Sequence, residues 1–336
     1  MKSGIKNSLH KINWKTVART IISAGLLLWL ALSIEWKDLA QAWRSVELGW
    51  IMAAIAWVVI SVLVSVRKWQ LVLNTQGIHL SWHELWKSYW AGLFFNNFLP
   101  SSIGGDAMRI WWVGKTVHDS PGVAVSVVVE RILATTGLAI TGLTAVVFVS
   151  QPDTRAVILF VILMVLSLGL LGLICWGHLP RWSQDRKGKL ISFLKGMVQH
   201  GAKFKNQPGR LAIVVILSVA FQLTVIGVNY CIFQALQVTA LTWWDLVYVI
   251  PVVSVVSMLP VGINGYGLRE GAYVVLLGLY QVPASTAFSA SLLFVFLVSL
   301  CSLYGGYTWH NHLKGEDTDV KVTSITNSPG SDEIWE

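Results

Sequence analysis

Residues 156–177 run without one charged side chain, and segments 17–34, 49–66, 122–150, 211–236 and 284–309 repeat that pattern with few interruptions. As a helix, about twenty apolar residues match the thickness of a bilayer's hydrocarbon core. In lipid every backbone polar group must be satisfied within the protein, so such segments have to be helical. The composition points the same way: 54% of the chain is hydrophobic and 12% is charged, against about 25% charged in a soluble globular domain. Too little charge is present to cover a water-soluble body, and the chain is too apolar to remain disordered. The fold class expected is an all-α polytopic membrane protein with about six spanning helices.

The formal net charge of +8 could suggest nucleic-acid binding, but the distribution of charge argues for a membrane instead. Lys2, Lys6, Lys11, Lys15 and Arg19 open the chain, and eight Lys or Arg fall within 178–210 beside a lone Asp185. Blocks of this kind flanking apolar spans mark cytoplasmic loops, with anionic lipid head groups as their partners. With the N-terminus inside, 20 of the 25 Lys+Arg fall on the inner side, which supports six crossings and two cytoplasmic termini. The expected organisation is a basic cytoplasmic N-terminus over 1–16, a transmembrane domain over 17–313 and a disordered cytoplasmic tail over 314–336. The first apolar segment ends at Glu35-Trp36-Lys37-Asp38, not at a small-residue cleavage site, so it reads as a retained helix. Residues 35–48 mix tryptophans with charges, as a short interfacial helix would.

Two further apolar segments stop early. One ends at Leu99-Pro100 and the other at Leu259-Pro260, each followed by a glycine-rich turn. Proline removes a backbone donor and clashes with the preceding turn, so both helices should break there. Broken backbone at membrane depth survives only when protein or a cavity surrounds it. Two re-entrant hairpins are therefore expected, over 82–117 and 243–280, with Pro100 and Pro260 as the helix breaks. Their turns repeat each other: 99–109 reads LPSSIGGDAMR and 259–269 reads LPVGINGYGLR, with Leu, Pro, Ile, Gly and Arg at identical offsets. Each hairpin also opens on Trp-x-acid, at Trp82-His83-Glu84 and Trp243-Trp244-Asp245. The charge count inserts the two from opposite faces, an inverted-repeat plan that places a substrate site at the breaks.

The charges kept inside the membrane are the candidate site. A charge at a helix centre costs about 2.5–3.5 kcal/mol on an insertion scale, so Arg109, Glu130, Arg131, Arg269 and Glu270 are either paired or used. Arginine offers planar, bidentate donors suited to phosphate, and half-helix N-termini favour anions. The candidate substrate-binding residues are Asn96, Asn97, Gly104, Gly105, Asp106, Arg109, Glu130, Arg131, Asn264, Gly265, Gly267, Arg269 and Glu270. Structural readings stand beside these. Arg269 and Glu270 can neutralise each other or pair with Glu130 and Arg131 as a clasp, Asp106 can cap the helix after it, and Asn96 and Asn97 can satisfy freed backbone groups. Gly114-Lys115-Thr116 lacks the leading glycine of a phosphate loop. Cys175, Cys231 and Cys301 are spaced for neither a disulfide framework nor zinc. No catalytic nucleophile, metal or cofactor is indicated, so the chain does not read as an enzyme.

The segments FNNFLPSSIGGDAMRIWWVGK and LPVGINGYGLREGAY, with Glu130-Arg131 between them, resemble the flippase-like family, also called the lysylphosphatidylglycerol synthase transmembrane region. The matching positions are Asn96, Pro100, Gly104, Gly105, Asp106, Arg109, Glu130, Arg131, Pro260, Gly265, Gly267, Arg269 and Glu270. The resemblance covers about residues 15–312 and lacks the soluble aminoacyl-transfer domain of the two-part synthases. It implies an inner-membrane protein that moves lipids or lipid-linked molecules between leaflets, or supports that step; the arginines and half-helix ends make an anionic phospholipid or lipid-linked molecule the expected cargo. Two alternatives remain open: a membrane-embedded transferase acting on a polyprenyl phosphate, and a non-catalytic partner of a lipid or glycan synthase.

Overall fold

The computed structural model describes residues 14–33, 43, 46–99, 104–149, 153–176, 196, 199–259, 261 and 264–326. Among the described residues the chain is helical and contains no strand. In order the helices are α1 (Trp14–Ser33), α2 (Leu48–Thr75), α3 (Trp82–Phe98), α4 (Gly104–Val117), α5 (Ser120–Val146), α6 (Thr154–Trp176), α7 (Pro208–Ala235), α8 (Trp243–Met258), α9 (Leu268–Gly278) and α10 (Ala284–Thr326). Five of them are long and apolar enough to cross a bilayer: α2, α5, α6, α7 and the Ala284–Lys314 part of α10. The sixth expected crossing corresponds to α1, a helix of 20 residues. The chain is an all-α polytopic membrane protein.

The burial of the spans inverts their clarity in sequence. The uninterrupted apolar segment, α6, is the outermost, with only 17% of its most apolar window buried inside the protein. Its leucines and valines face outward, as a lipid-contacting surface requires. By contrast α5, which carries Glu130 and Arg131, is 72% buried in that window and forms the centre of the molecule. A charged pair is tolerated in a span when neighbouring helices supply its partners.

Both pairs of short helices are framed alike. Ser81 caps α3 by accepting a hydrogen bond from the Glu84 N–H at 3.3 Å. Thr242 and Asp245 cap α8 reciprocally: Thr242 N–H donates to Asp245 Oδ2 at 2.8 Å, and Asp245 N–H donates to Thr242 Oγ1 at 3.3 Å. The repeated Trp-x-acid is thus a helix-start signature. α3 and α8 end at Leu99 and Leu259, both in extended backbone with ψ of 144° and 131°. That is the conformation a following proline imposes on the residue before it. Pro100 and Pro260 themselves lie outside the described residues, as do Ser101, Ser102, Ile103, Gly262 and Ile263.

The two pairs contact different stretches of α10. Along α3, Lys87 O accepts a bond from Thr308 Oγ1 at 3.4 Å, and Trp90 packs on Tyr304 with ring centres 5.7 Å apart. A Cβ on Gly305 would overlap the Trp90 carbonyl, so the two helices touch backbone to backbone there. On the other side, α9 lies along the first half of α10, where Ser291 donates to Glu270 at 3.3 Å.

Residues 34–42, 44 and 45, which hold most of the expected interfacial helix, and most of the N-terminus lie outside the described residues, as do 177–195 of the basic loop. The end of that loop is described and packs onto α2: Gln76 Nε2 donates to the His200 carbonyl at 3.1 Å, Lys203 Nζ donates to the Gln76 carbonyl at 3.0 Å, and Phe204 is fully buried. α10 continues past Lys314 to Thr326, into the segment read from composition as a disordered tail. Extending an existing helix adds a hydrogen bond per residue without a new nucleus, which is how polar sequence can follow an apolar span. Residues 327–336 lie outside the described residues.

Candidate functional site

Glycines set the first half-site. A Cβ on Gly105 would collide with the Gly92 carbonyl and lie 2.6 Å from Asn96 Cγ, so α4 starts in direct backbone contact with α3. Asn96 Oδ1 accepts the Gly105 N–H at 2.9 Å, satisfying one of the donors that a helix start leaves free. A Cβ on Gly92 would also press on Arg109 Cγ at 2.7 Å. The two small residues therefore leave the channel through which Arg109 crosses α3 toward α5.

Arg109 is 3% exposed and fully engaged. Its Nη1 donates to Glu130 Oε2 at 2.9 Å and its Nη2 to Asp106 Oδ1 at 2.7 Å. The guanidinium carbon lies 4.8 Å from the Trp69 ring and 4.7 Å from the Tyr89 ring, within cation–π range. Lys68, 2% exposed, faces the other oxygen of Glu130 at 3.5 Å and sits over the Phe221 ring at 5.1 Å. Asp106 also receives Arg131, through Nε to Oδ2 and Nη2 to Oδ1, both at 2.9 Å. One connected cluster thus joins α2, α4 and α5, with Asp106 as an ion-pair bridge; the residues that Asp106 would cap, at 101–103, lie outside the described residues.

The second half-site is smaller and electrically closed. Asn264, Gly265 and Gly267 have φ of 50°, 75° and 83°, the left-handed region where glycine is at ease and asparagine is tolerated. A Cβ on Gly265 would stand 2.8 Å from the Ser257 carbonyl, and one on Gly267 would stand 2.6 Å from Leu26 Cβ of α1. The two repeat glycines, Gly105 and Gly265, therefore do the same work: each closes its turn against the descending helix. Glu270 is wholly buried. It accepts the Gly267 N–H at 2.6 Å, the Ser291 hydroxyl at 3.3 Å and Arg269 Nε at 3.4 Å. Arg269 and Glu270 thus neutralise each other and do not form a clasp with Glu130 and Arg131. Nearby, the Tyr273 hydroxyl donates to Asn229 Oδ1, which explains the polar residue inside α7.

The two half-sites touch. Asn264 Nδ2 donates to the carbonyls of Asn96 and Leu99, both at 3.0 Å. Beside this junction lies a cavity of about 220 Å³. Asn96, Asp106, Arg109 and Arg131 line its polar side, and residues such as Val58, Leu93, Val225 and Phe294 line the rest. Asn97 and Asn264 each keep one buried side-chain atom, Nδ2 and Oδ1, without a partner among the described residues. Gly104 packs its turn against Leu99.

The sequence pattern of the family described as "Lysylphosphatidylglycerol synthase TM region" matches residues 16–305. The chain belongs to that family. The matched stretch begins in α1, ends in α10 and includes every residue of the charge cluster, both turns and the cavity walls. Membership of the lysylphosphatidylglycerol synthase TM region family marks a membrane protein of lipid-related processes. Comparison with curated proteins gave no match. The sequence places Asp106, Arg109, Glu130 and Arg131 in one candidate site with Arg269 and Glu270; the structure joins the first four in one ion-pair cluster and pairs Arg269 with Glu270 apart from it and outside the cavity lining, while Lys68, which the sequence counts as a cytoplasmic flank, belongs to the cluster. Tyr89, Trp69, Ser291 and the Asn229–Tyr273 pair are missed as well. Their only sequence signal is polarity within or beside an apolar helix, which does not reveal which face turns inward.

Proposed function

We propose that the protein is a lipid translocator of the inner membrane, moving an anionic phospholipid or lipid-linked molecule between leaflets without catalysing a covalent step. The observation that carries this reading is the junction of the two broken helices through Asn264, beside a cavity that is charged at one end and apolar along its walls. A lipid has that same division between head group and chains. Broken helices in transporters surround the substrate near the bilayer midplane, and the contact of the two turns through Asn264 suits that plan. Both termini are then cytoplasmic, as the Lys and Arg count requires.

The test is reconstitution. Vesicles containing the purified chain and a trace of fluorescent phosphatidylglycerol should expose the labelled lipid to a membrane-impermeant quencher on the opposite face faster than empty vesicles do. Asp106→Asn, which removes the bridge between Arg109 and Arg131, should slow that exchange. A wild-type rate equal to that of empty vesicles overturns the proposal.

A further inference from the structure

A second cavity, of about 600 Å³, lies away from the two turns, between the α5–α6 connection and the open end of the second helix pair. No member of the ion-pair cluster lines it. Its volume falls within the range of about 300–1,000 Å³ common to small-molecule sites. Its polar groups converge from three stretches: Asp153 and Arg155 around the start of α6, Asp245 and Tyr248 on the first turns of α8, and Tyr280 just past α9. Leu159, Val252 and Leu276 are part of its apolar wall.

Tyr248 shows what the cavity asks of an occupant. The residue is 5% exposed, and its hydroxyl oxygen accepts the Asp153 N–H at 3.1 Å. Its own hydrogen meets no acceptor among the described residues. A buried donor left unmade costs about 1–3 kcal/mol, so this hydroxyl calls for an acceptor inside the cavity. Acceptors of the protein stand close by. The capping bonds from Thr242 to Asp245 use Oδ2 alone, and Asp153 Oδ1 takes the Arg155 N–H at 2.8 Å. Each carboxylate therefore keeps an oxygen that no backbone group occupies, and the Tyr280 hydroxyl lies beside Asp245.

We propose that this second cavity binds a hydroxyl-rich group of sugar-ring size. The choice follows from which groups donate and which accept. Ammonium and guanidinium groups only donate, so they satisfy the two carboxylates but leave the Tyr248 hydrogen unused. Phosphate and carboxylate only accept, so they suit Tyr248 and Arg155 but face the negative oxygens of Asp153 and Asp245. A hydroxyl does both, taking the Tyr248 hydrogen while giving its own to an aspartate. Several hydroxyls on one ring engage Asp153, Arg155, Asp245 and Tyr248 together, with the ring's C–H groups against the apolar wall. The sugar can be free or carried on a lipid, and the site stands whether or not the protein translocates lipid.

Thermal melting of the purified full-length chain in a polyoxyethylene detergent, which contains no sugar, tests the assignment. Monoglucosyl diacylglycerol added to the micelles should raise the wild-type melting temperature by roughly 3 °C or more. Millimolar methyl glucoside separates the two sources: a shift from it as well identifies a free sugar as sufficient, and a shift from the lipid alone identifies a lipid-borne one. Phosphatidylethanolamine and phosphatidylglycerol should give no comparable shift. Tyr248→Phe keeps the ring and removes the donor, and should abolish the glucosyl shift measured against its own ligand-free melting. Because Tyr248→Phe also releases the Asp153 N–H, Arg155→Gln at an exposed position serves as the second variant and should at least halve the shift. Three results overturn the assignment: no shift from either glucoside, an equal shift from phosphatidylethanolamine, or a glucosyl shift undiminished in both variants.

Discussion

Glu130 shows how a single carboxylate can hold a membrane interior together. It lies between Lys68 at 3.5 Å and Arg109 at 2.9 Å, and both cations are buried. Removing one partner of a buried ionic group leaves the others uncompensated, at a cost of about 3–5 kcal/mol. Glu130→Gln should therefore lower the melting temperature in detergent by several degrees; a variant that melts with the wild type would show that the cluster contributes little to stability. Close packing makes a second prediction at this scale. Gly105→Ala should destabilise strongly, because its Cβ would meet the Gly92 carbonyl and Asn96. Gly169→Ala, on the outer helix where a Cβ meets nothing within 4 Å, should stay within about 1 kcal/mol of wild type. Comparing the two variants in one melting experiment separates steric overlap from helix propensity.

The elements that set this protein apart are the two interrupted pairs, α3 with α4 and α8 with α9. Each opens on a capped helix start and stops at a leucine held extended before a proline. Each then turns back through a glycine pressed on the helix it has just left. Their mutual attachment rests on the amide of Asn264, which donates to two carbonyls of the other turn at 3.0 Å. At about 1 kcal/mol net per hydrogen bond, Asn264→Ala should cost about 2 kcal/mol. It should also raise the reactivity of a cysteine placed at Asn97, beside the junction. Unchanged melting and unchanged labelling would mean that the turns are held together by other contacts.

For the whole molecule the decisive question is how the pairs sit in the bilayer. Cysteines introduced at exposed His79, ahead of α3, and exposed Ala240, ahead of α8, should react with an impermeant reagent from opposite sides of sealed vesicles. Reaction of both from one side would end the opposed-insertion reading. The class of the fold was legible without coordinates: uncharged runs such as 156–177 have no stable home but lipid, and the breaks at Leu99-Pro100 and Leu259-Pro260 follow from what proline does to a helix. The repeated glycines do equivalent work at the two turns, whereas of the repeated arginines only Arg109 lines the cavity. Which charges neutralise one another was legible only for the adjacent Arg269 and Glu270. Lys68 reads in sequence as the flank of a span and is instead buried against Glu130, 62 positions away in the numbering. Arg109 and Arg131 read as equivalent cations, yet one is enclosed and the other opens on a cavity. Ion pairing in a membrane depends on which helix faces are brought together, and a helix records the spacing of its own residues but not the partner its inward face will meet.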